Sequence, residues 1–276
     1  MELFDFFQYS FVLRALVAGS FISIGCSILG VLLVLRRFSL IGDGLAHVTF
    51  GAVAAGLLLK QHPVFFSIPV VMAGSLGILK LAKVARIYGD AAIGIVSSVG
   101  IAGGILITSI AGGFNVDLLS FLFGNILAVS QPEVYATIVL SMTIIGITLL
   151  FYYENFSIAF DEEYAKVSGI STDRISSLIV LLTAVTVVLA MKVVGVMLTS
   201  ALLILPAVTA LQMAKSFRST MFLSAMSGLL SVITGICSSF LLNLPTGATI
   251  VMINFLFFLA AFVCKKVFLK KKQTSQ

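Results

Sequence analysis

The chain has 276 residues, of which 60% are hydrophobic and only 10% are Asp, Glu, Lys or Arg. Soluble domains carry about 25% charged residues, so a fold surrounded by water is excluded and a lipid bilayer is the expected solvent. The net charge of +6 follows from membrane topology, as described below, and we expect no nucleic-acid partner.

Nine apolar segments are long enough to be read as membrane crossings, since a spanning helix needs about 20 such residues. They are predicted at residues 11–35, 39–59, 63–82, 91–111, 133–153, 175–191, 196–213, 220–242 and 248–264. Residues 115–130 are predicted to form a short re-entrant or interfacial helix, because a crossing there would place the flanking basic loops on opposite sides. Residues 1–276 are therefore predicted to be a single all-α polytopic membrane domain with eight or nine transmembrane helices.

The basic residues lie mostly on one side of this predicted topology. With the N-terminus outside, fourteen fall on the inner side: Arg36, Arg37, Lys80, Lys83, Arg86, Lys166, Arg174, Lys215, Arg218, Lys265, Lys266, Lys270, Lys271 and Lys272. Only Arg14, Lys60 and Lys192 fall outside. We therefore predict a multi-pass protein of a bacterial cell membrane, with a cytoplasmic C-terminus whose basic tail, residues 265–276, lies against inner-leaflet lipid.

Asp43 and His47 stand four residues apart in the second predicted crossing. A helix places both on one face, and ionisable side chains at membrane depth are costly unless they have a function. Carboxylate oxygen and imidazole nitrogen are ligands of divalent metals, and a second copy of the chain about a two-fold axis would raise two ligands to four. The alternative is an internal pair that ties two helices together. Gly42 and Gly44 are expected to loosen the backbone here.

Three other residues are candidates for chemistry. Asp117 is a weaker metal candidate, and its alternative is an N-cap for the short helix that follows it. Glu133 opens a crossing after Pro132 and is predicted to compensate the helix dipole. His62 is predicted to be an outer-loop residue rather than a metal ligand.

The longest inner loop, at residues 156–174, has a helical pattern of its own. Asp161 and Glu162 are acidic residues at the opening of a short helix, Ala165 follows one turn later, and Gly169 can end the helix with a positive φ. The loop is either a solvated connector or a docking helix for a cytosolic partner.

Several motifs of enzymes are missing from the sequence. It contains no GxxxxGK[ST] phosphate loop and no HExxH or GxSxG motif. We therefore expect a transport subunit that is not itself an enzyme and cannot hydrolyse ATP.

Five segments in register resemble the membrane permease of the zinc/manganese-type ABC importers. They are residues 36–47, 116–124, 161–170, 191–207 and 245–248. The resemblance implies a type II-like ABC importer permease that forms a homodimer or a paired permease, with two cytosolic ATP-binding subunits and an extracellular or periplasmic metal-binding protein. It also implies that Asp43 and His47 meet the metal, and that the inner loop with Asp161, Glu162, Ala165 and Gly169 is the coupling helix.

The expected cargo is Zn²⁺, and no permanently bound cofactor is expected. Two Asp/His pairs would form a tetrahedral set that suits Zn²⁺, whereas Mn²⁺ prefers more oxygens and six positions. Residues Gly44 to Ala46 also look more like the zinc branch, since manganese relatives tend to carry a serine before the histidine. Import of Mn²⁺ or Fe²⁺ by the same family is the alternative.

Two further classes of protein remain as rivals. An ion-coupled secondary metal carrier can place Asp and His four apart on a helix, but usually has a second such pair and a cytosolic domain. A structural or assembly subunit would fit if Asp43 and His47 were an ordinary buried pair.

Overall fold

The structure, a computed structural model, describes residues 10–112 and 129–273, with side chains described through residue 266. These residues form eleven helices: α1 Ser10–Leu35, α2 Ile41–Leu58, α3 Pro63–Val84, α4 Gly89–Ile110, α5 Gln131–Leu150, α6 Tyr152–Phe160, α7 Glu162–Val167, α8 Thr172–Val194, α9 Val196–Met213, α10 Phe217–Leu242 and α11 Thr246–Gln273. In this part of the chain nine helices, all except α6 and α7, are long and apolar enough to cross a membrane. The all-α polytopic prediction is confirmed, and each long helix begins within three residues of its predicted start.

The centre of the bundle is formed by α1, α2 and α8. Helix α1 packs against α5, α9 and α10, while α8 packs against α1, α2 and α3. Large side chains from these helices are completely buried, among them Leu29, Leu32, Leu45 and Ile179. By contrast α4, α5 and α11 present most of their side chains outward, as lipid-facing or partner-facing helices do.

Glycines allow the helices of the centre to approach closely. A Cβ atom added at Gly30 of α1 would lie 1.8 Å from the carbonyl oxygen of Leu203 in α9. A Cβ added at Gly51 of α2 would lie 2.4 Å from the carbonyl oxygen of Gly100 in α4. No larger residue fits at either crossing without separating the helices, so Gly30 sets the spacing of α1 and α9, and Gly51 sets the spacing of α2 and α4.

The predicted inner loop contains two helices rather than one. Helix α6 follows α5 after the single residue Phe151, and its Tyr152 and Phe156 rings pack on Phe217 at the start of α10, with ring centroids 5.4 and 5.6 Å apart. The sequence did not predict α6, because its first residues extend the apolar run of the preceding crossing. We refer to Tyr152–Val167 as the α6–α7 segment.

The short acidic helix of the predicted loop is confirmed as α7. Asp161 is its N-cap and accepts a hydrogen bond from the Tyr164 backbone N–H at 2.9 Å. Gly169, with φ of +85°, provides the left-handed residue after the helix, as expected for a helix C-terminus. The predicted helix at residues 115–130 falls almost wholly on residues 113–128, outside the described part.

Candidate functional site

Asp43 and His47 lie on the first two turns of α2 with their side chains side by side. The His47 Nε2 and Asp43 Oδ2 atoms are 3.6 Å apart, and the two side chains are 34% and 51% exposed, respectively. This separation is too long for a hydrogen bond. The pair therefore keeps oxygen and nitrogen lone pairs available on the first two turns of α2, where the described part of the chain leaves both side chains partly exposed.

The two glycines that flank Asp43 are closely packed on neighbouring helices. A Cβ added at Gly42 would lie 2.4 Å from Leu203 Cδ1 of α9, and one added at Gly44 would lie 2.5 Å from Ile93 Cγ2 of α4. The expectation that these glycines loosen the backbone is wrong. They admit neighbouring side chains against the helix and so hold the residues between and after them in place.

The remaining candidates lie apart from this pair or cannot be placed. Asp117 lies outside the described residues. His62 is exposed before α3, with its ring 5.0 Å from that of Phe65. Within residues 10–112 and 129–266, no cluster of three or more His, Cys, Asp or Glu side chains could hold a metal.

Glu133 has the helix-end position that the sequence predicts. It completes a capping box with Ser130 at the start of α5, and its carboxylate accepts a hydrogen bond from the Ser130 backbone N–H at 2.8 Å. It also forms an ion pair with Lys192, near the end of α8, at 2.5 Å. Glu133 therefore ties α5 to α8 at the end of the bundle opposite the α6–α7 segment.

The four predicted coupling residues do not share one environment. Glu162 pairs with Lys166 at 2.8 Å on the surface, and this carboxylate raises the pKa of the Lys166 ammonium. Ala165 is completely buried, packed in a cluster with Ile158 and Ile175. The small residue at 165 is therefore required by packing within the chain, and contact with a docking partner does not explain it.

The side-chain hydrogen bonds of Arg36 were not predicted from the sequence. Arg36 follows the last residue of α1, and its Nη2 donates a hydrogen bond to Asn155 Oδ1 of α6 at 2.8 Å. Its Nη1 donates to Ser176 Oγ of α8 at 3.3 Å. In the sequence Arg36 is one of two adjacent arginines at a helix end, a position that the positive-inside bias explains without any specific partner.

Comparison with known proteins shows which family the chain belongs to. Residues 8–265 match the model of the ABC 3 transport family. The chain is 32% identical over 256 residues to the manganese transport system membrane protein MntC of Listeria monocytogenes, covering 93% of this chain and 91% of that protein. It is 34% identical over 269 residues to the "Probable iron transport system membrane protein" of Haemophilus influenzae, covering 94% and 96%.

A solved structure has the same fold. The structure titled PsaBC from Streptococcus pneumoniae in complex with Fab contains a chain that matches with a TM-score of 0.86 at 30% identity, covering 98% of this chain and 100% of that one. Fold and helix order thus define the membrane-spanning permease of an ABC importer, a transport component rather than an enzyme. The chain belongs to the ABC 3 transport family.

Proposed function

We propose that this chain is the permease of an ATP-driven importer of divalent metal ions, with Mn²⁺ as its principal cargo. The identity of the cargo is inferred from the names of the relatives. MntC proteins named for manganese are 32% identical to this chain, and a relative named for iron is 34% identical. These names favour the manganese alternative over the Zn²⁺ that we expected from the sequence.

The argument for zinc depended on a ligand count that the described residues do not supply. One chain offers one oxygen donor and one nitrogen donor, and such a pair is compatible with any first-row divalent ion once waters or other oxygens complete the shell. Ala46 was the second reason, yet it is 1% exposed and packed in the bundle core. We infer that a side chain packed in this way does not contact the ion, so that its identity is no guide to the cargo.

Asp43 and His47 are the proposed contact point for the ion on its path. About half of the Asp43 side chain and a third of the His47 side chain are exposed, in a helix otherwise apolar enough to span the membrane. A carboxylate facing hydrocarbon is strongly unfavourable, so we infer that this side of α2 borders a polar space. A second copy of the chain, placed with its α2 across that space, would supply two further donors.

The α6–α7 segment is the proposed docking surface for the cytosolic ATP-binding subunits. It exposes large apolar and aromatic side chains: Tyr153, Phe160, Tyr164 and Val167 are 79%, 72%, 68% and 89% exposed. Exposed apolar patches beside polar residues mark interaction sites. We further infer that this end is cytoplasmic, as the positive-inside bias predicts, and that an external metal-binding protein delivers the ion to the opposite end.

Uptake by a reconstituted transporter tests this proposal. Proteoliposomes would contain the permease, its cognate ATPase and its binding protein, with radioactive ⁵⁴Mn²⁺ or ⁶⁵Zn²⁺ outside and ATP inside. We expect ATP-dependent accumulation of ⁵⁴Mn²⁺, and none when the nucleotide is non-hydrolysable. Accumulation of ⁶⁵Zn²⁺ without ⁵⁴Mn²⁺ would overturn the cargo, and metal movement without the ATPase would overturn the importer class.

A further inference from the structure

Arg36 joins three parts of the chain that the transport reaction must coordinate. It lies at the corner between α1 and α2, and its guanidinium donates hydrogen bonds to Asn155 of α6 and Ser176 of α8. Asn155 is completely buried, and its Nδ2 has no hydrogen-bond partner among the described residues. Burial lowers the pKa of the Arg36 guanidinium to about 10, and the negative charge of the Glu162 carboxylate in α7 partly offsets this by raising that pKa.

The corner itself is short and well hydrogen-bonded. Arg37 adopts a left-handed conformation with φ of 61°, and the Phe38 backbone N–H donates to the Leu33 carbonyl at 2.9 Å. The Ile41 N–H donates to the Phe38 carbonyl at 3.1 Å, which starts α2. Asp43 stands in the first turn of that helix. A displacement of Arg36 therefore moves the start of α2, because no flexible linker lies between them.

The other side of the contact is equally well connected. Asn155 belongs to α6, whose Ile158 packs with Ala165 of α7 and Ile175 of α8 in one apolar cluster. Ser176 follows directly after Ile175 on α8. The partners of Arg36 are therefore held to the proposed docking surface by buried contacts.

We propose that Arg36 is a positioning residue, which holds the α1–α2 corner, and with it Asp43 and His47, to the α6–α7 segment. This inference builds on the proposed function, since it gives movement of the docked ATPase a route to the ion-contacting pair. A charged hydrogen bond to a buried acceptor is strong and costly to lose, so the corner follows the α6–α7 segment rather than sliding past it.

The matched variants are Asn155→Ala, which removes the acceptor, and Asn155→Asp, which keeps an oxygen at the same place for Arg36. Arg36→Lys keeps the charge but loses the forked geometry. The control is Lys83→Gln, which breaks the Lys83–Asp173 ion pair between α3 and the first turn of α8. That pair is exposed, so its loss is expected to change little.

Two measurements on the full complex in lipid separate positioning from general stability. The first is amide hydrogen exchange of residues 38–47. Asn155→Ala and Arg36→Lys are expected to accelerate it about tenfold, the effect of losing one charged hydrogen bond, whereas Asn155→Asp and Lys83→Gln leave it unchanged. Unchanged exchange in both Asn155→Ala and Arg36→Lys would overturn the proposal.

The second measurement is the amount of ⁵⁴Mn²⁺ taken up per ATP hydrolysed. The proposal expects this ratio to fall about tenfold in Asn155→Ala and to recover in Asn155→Asp. A ratio equal to wild type, with both rates reduced together, would reduce Arg36 to a structural anchor and overturn its role in coupling. If the wild-type complex moves no metal, the proposed function fails, while the exchange result still decides whether Arg36 holds the corner.

Discussion

Helix α2 has two sides of opposite character. On one side Ile41 and Leu45 are completely buried in the bundle core. On the other side the Asp43 and His47 side chains are 51% and 34% exposed, and they lie 3.6 Å apart, too far for a hydrogen bond. The buried side accounts for the folding of the helix without any help from the charged pair. The pair is therefore a cost in an apolar helix, and its presence is best explained by function.

The largest expected effect comes from removing the oxygen and nitrogen donors of Asp43 and His47. Asp43→Asn and His47→Gln each preserve size and polarity but replace a proposed metal ligand. We expect ⁵⁴Mn²⁺ uptake by proteoliposomes to fall at least about 100-fold, because loss of a group that merely supports a ligand already costs about 10- to 100-fold. Because neither side chain packs in the core, the melting temperature of the purified permease should stay at the wild-type value. Uptake near wild type in either variant would remove that residue from the ion path.

A smaller effect, on stability alone, is expected from the buried side. Leu45→Ala leaves a cavity against tightly packed neighbours and should lower the free energy of unfolding by about 2 kcal/mol, near the lower limit for such changes because lipid tails are themselves apolar. The control is Leu58→Ala on the same helix, where the side chain is 46% exposed and little packing is lost. Thermal melting in detergent compares the two, and equal destabilisation would contradict the contrast between the two sides.

The smallest expected effect concerns the contact of α2 with α4. A Cβ at Gly104 would lie 2.7 Å from Phe50 Cδ1 and 2.9 Å from Gly51 Cα, whereas a Cβ at the adjacent Gly103 meets no atom within 4 Å. Gly104→Ala should therefore cost about 1 kcal/mol through forced separation of the helices, while Gly103→Ala should be neutral. A melting temperature that falls equally in both would mean that α4 does not pack on α2 through Gly104.

Much of the fold could be predicted from the sequence, for reasons that these regions illustrate. Long apolar runs punctuated by basic residues give nine helix starts to within three residues, because length and charge respond directly to the bilayer. The acidic start of α7 and Gly169 after it were predictable because caps act locally. Helix α6 was missed, since its boundary with α5 depends on packing of Tyr152 and Phe156 against Phe217.

The geometry of the candidate site was predictable only in part. Asp43 and His47 could be found because helical spacing places them on one side of α2, but their exposure could not. The roles of Gly42, Ala165 and Arg36 depend on contacts with residues far away in the chain: Leu203, Ile175 and Asn155. Such contacts leave no local pattern in the sequence. The sequence therefore suggested that Gly42 loosens the backbone, that Ala165 contacts a docking partner and that Arg36 only reflects the positive-inside bias.

The central claim is that Asp43 and His47 of α2 contact the transported ion. Electron spin echo spectroscopy of bound Mn²⁺ tests this claim most directly. The complex would be loaded with Mn²⁺ and trapped during turnover. We expect a ¹⁴N modulation from an imidazole bound to Mn²⁺ in the wild type, and its loss in His47→Gln at the same Mn²⁺ occupancy. A ¹⁴N signal that persists unchanged in His47→Gln, or bound Mn²⁺ without any nitrogen ligand in the wild type, would contradict it.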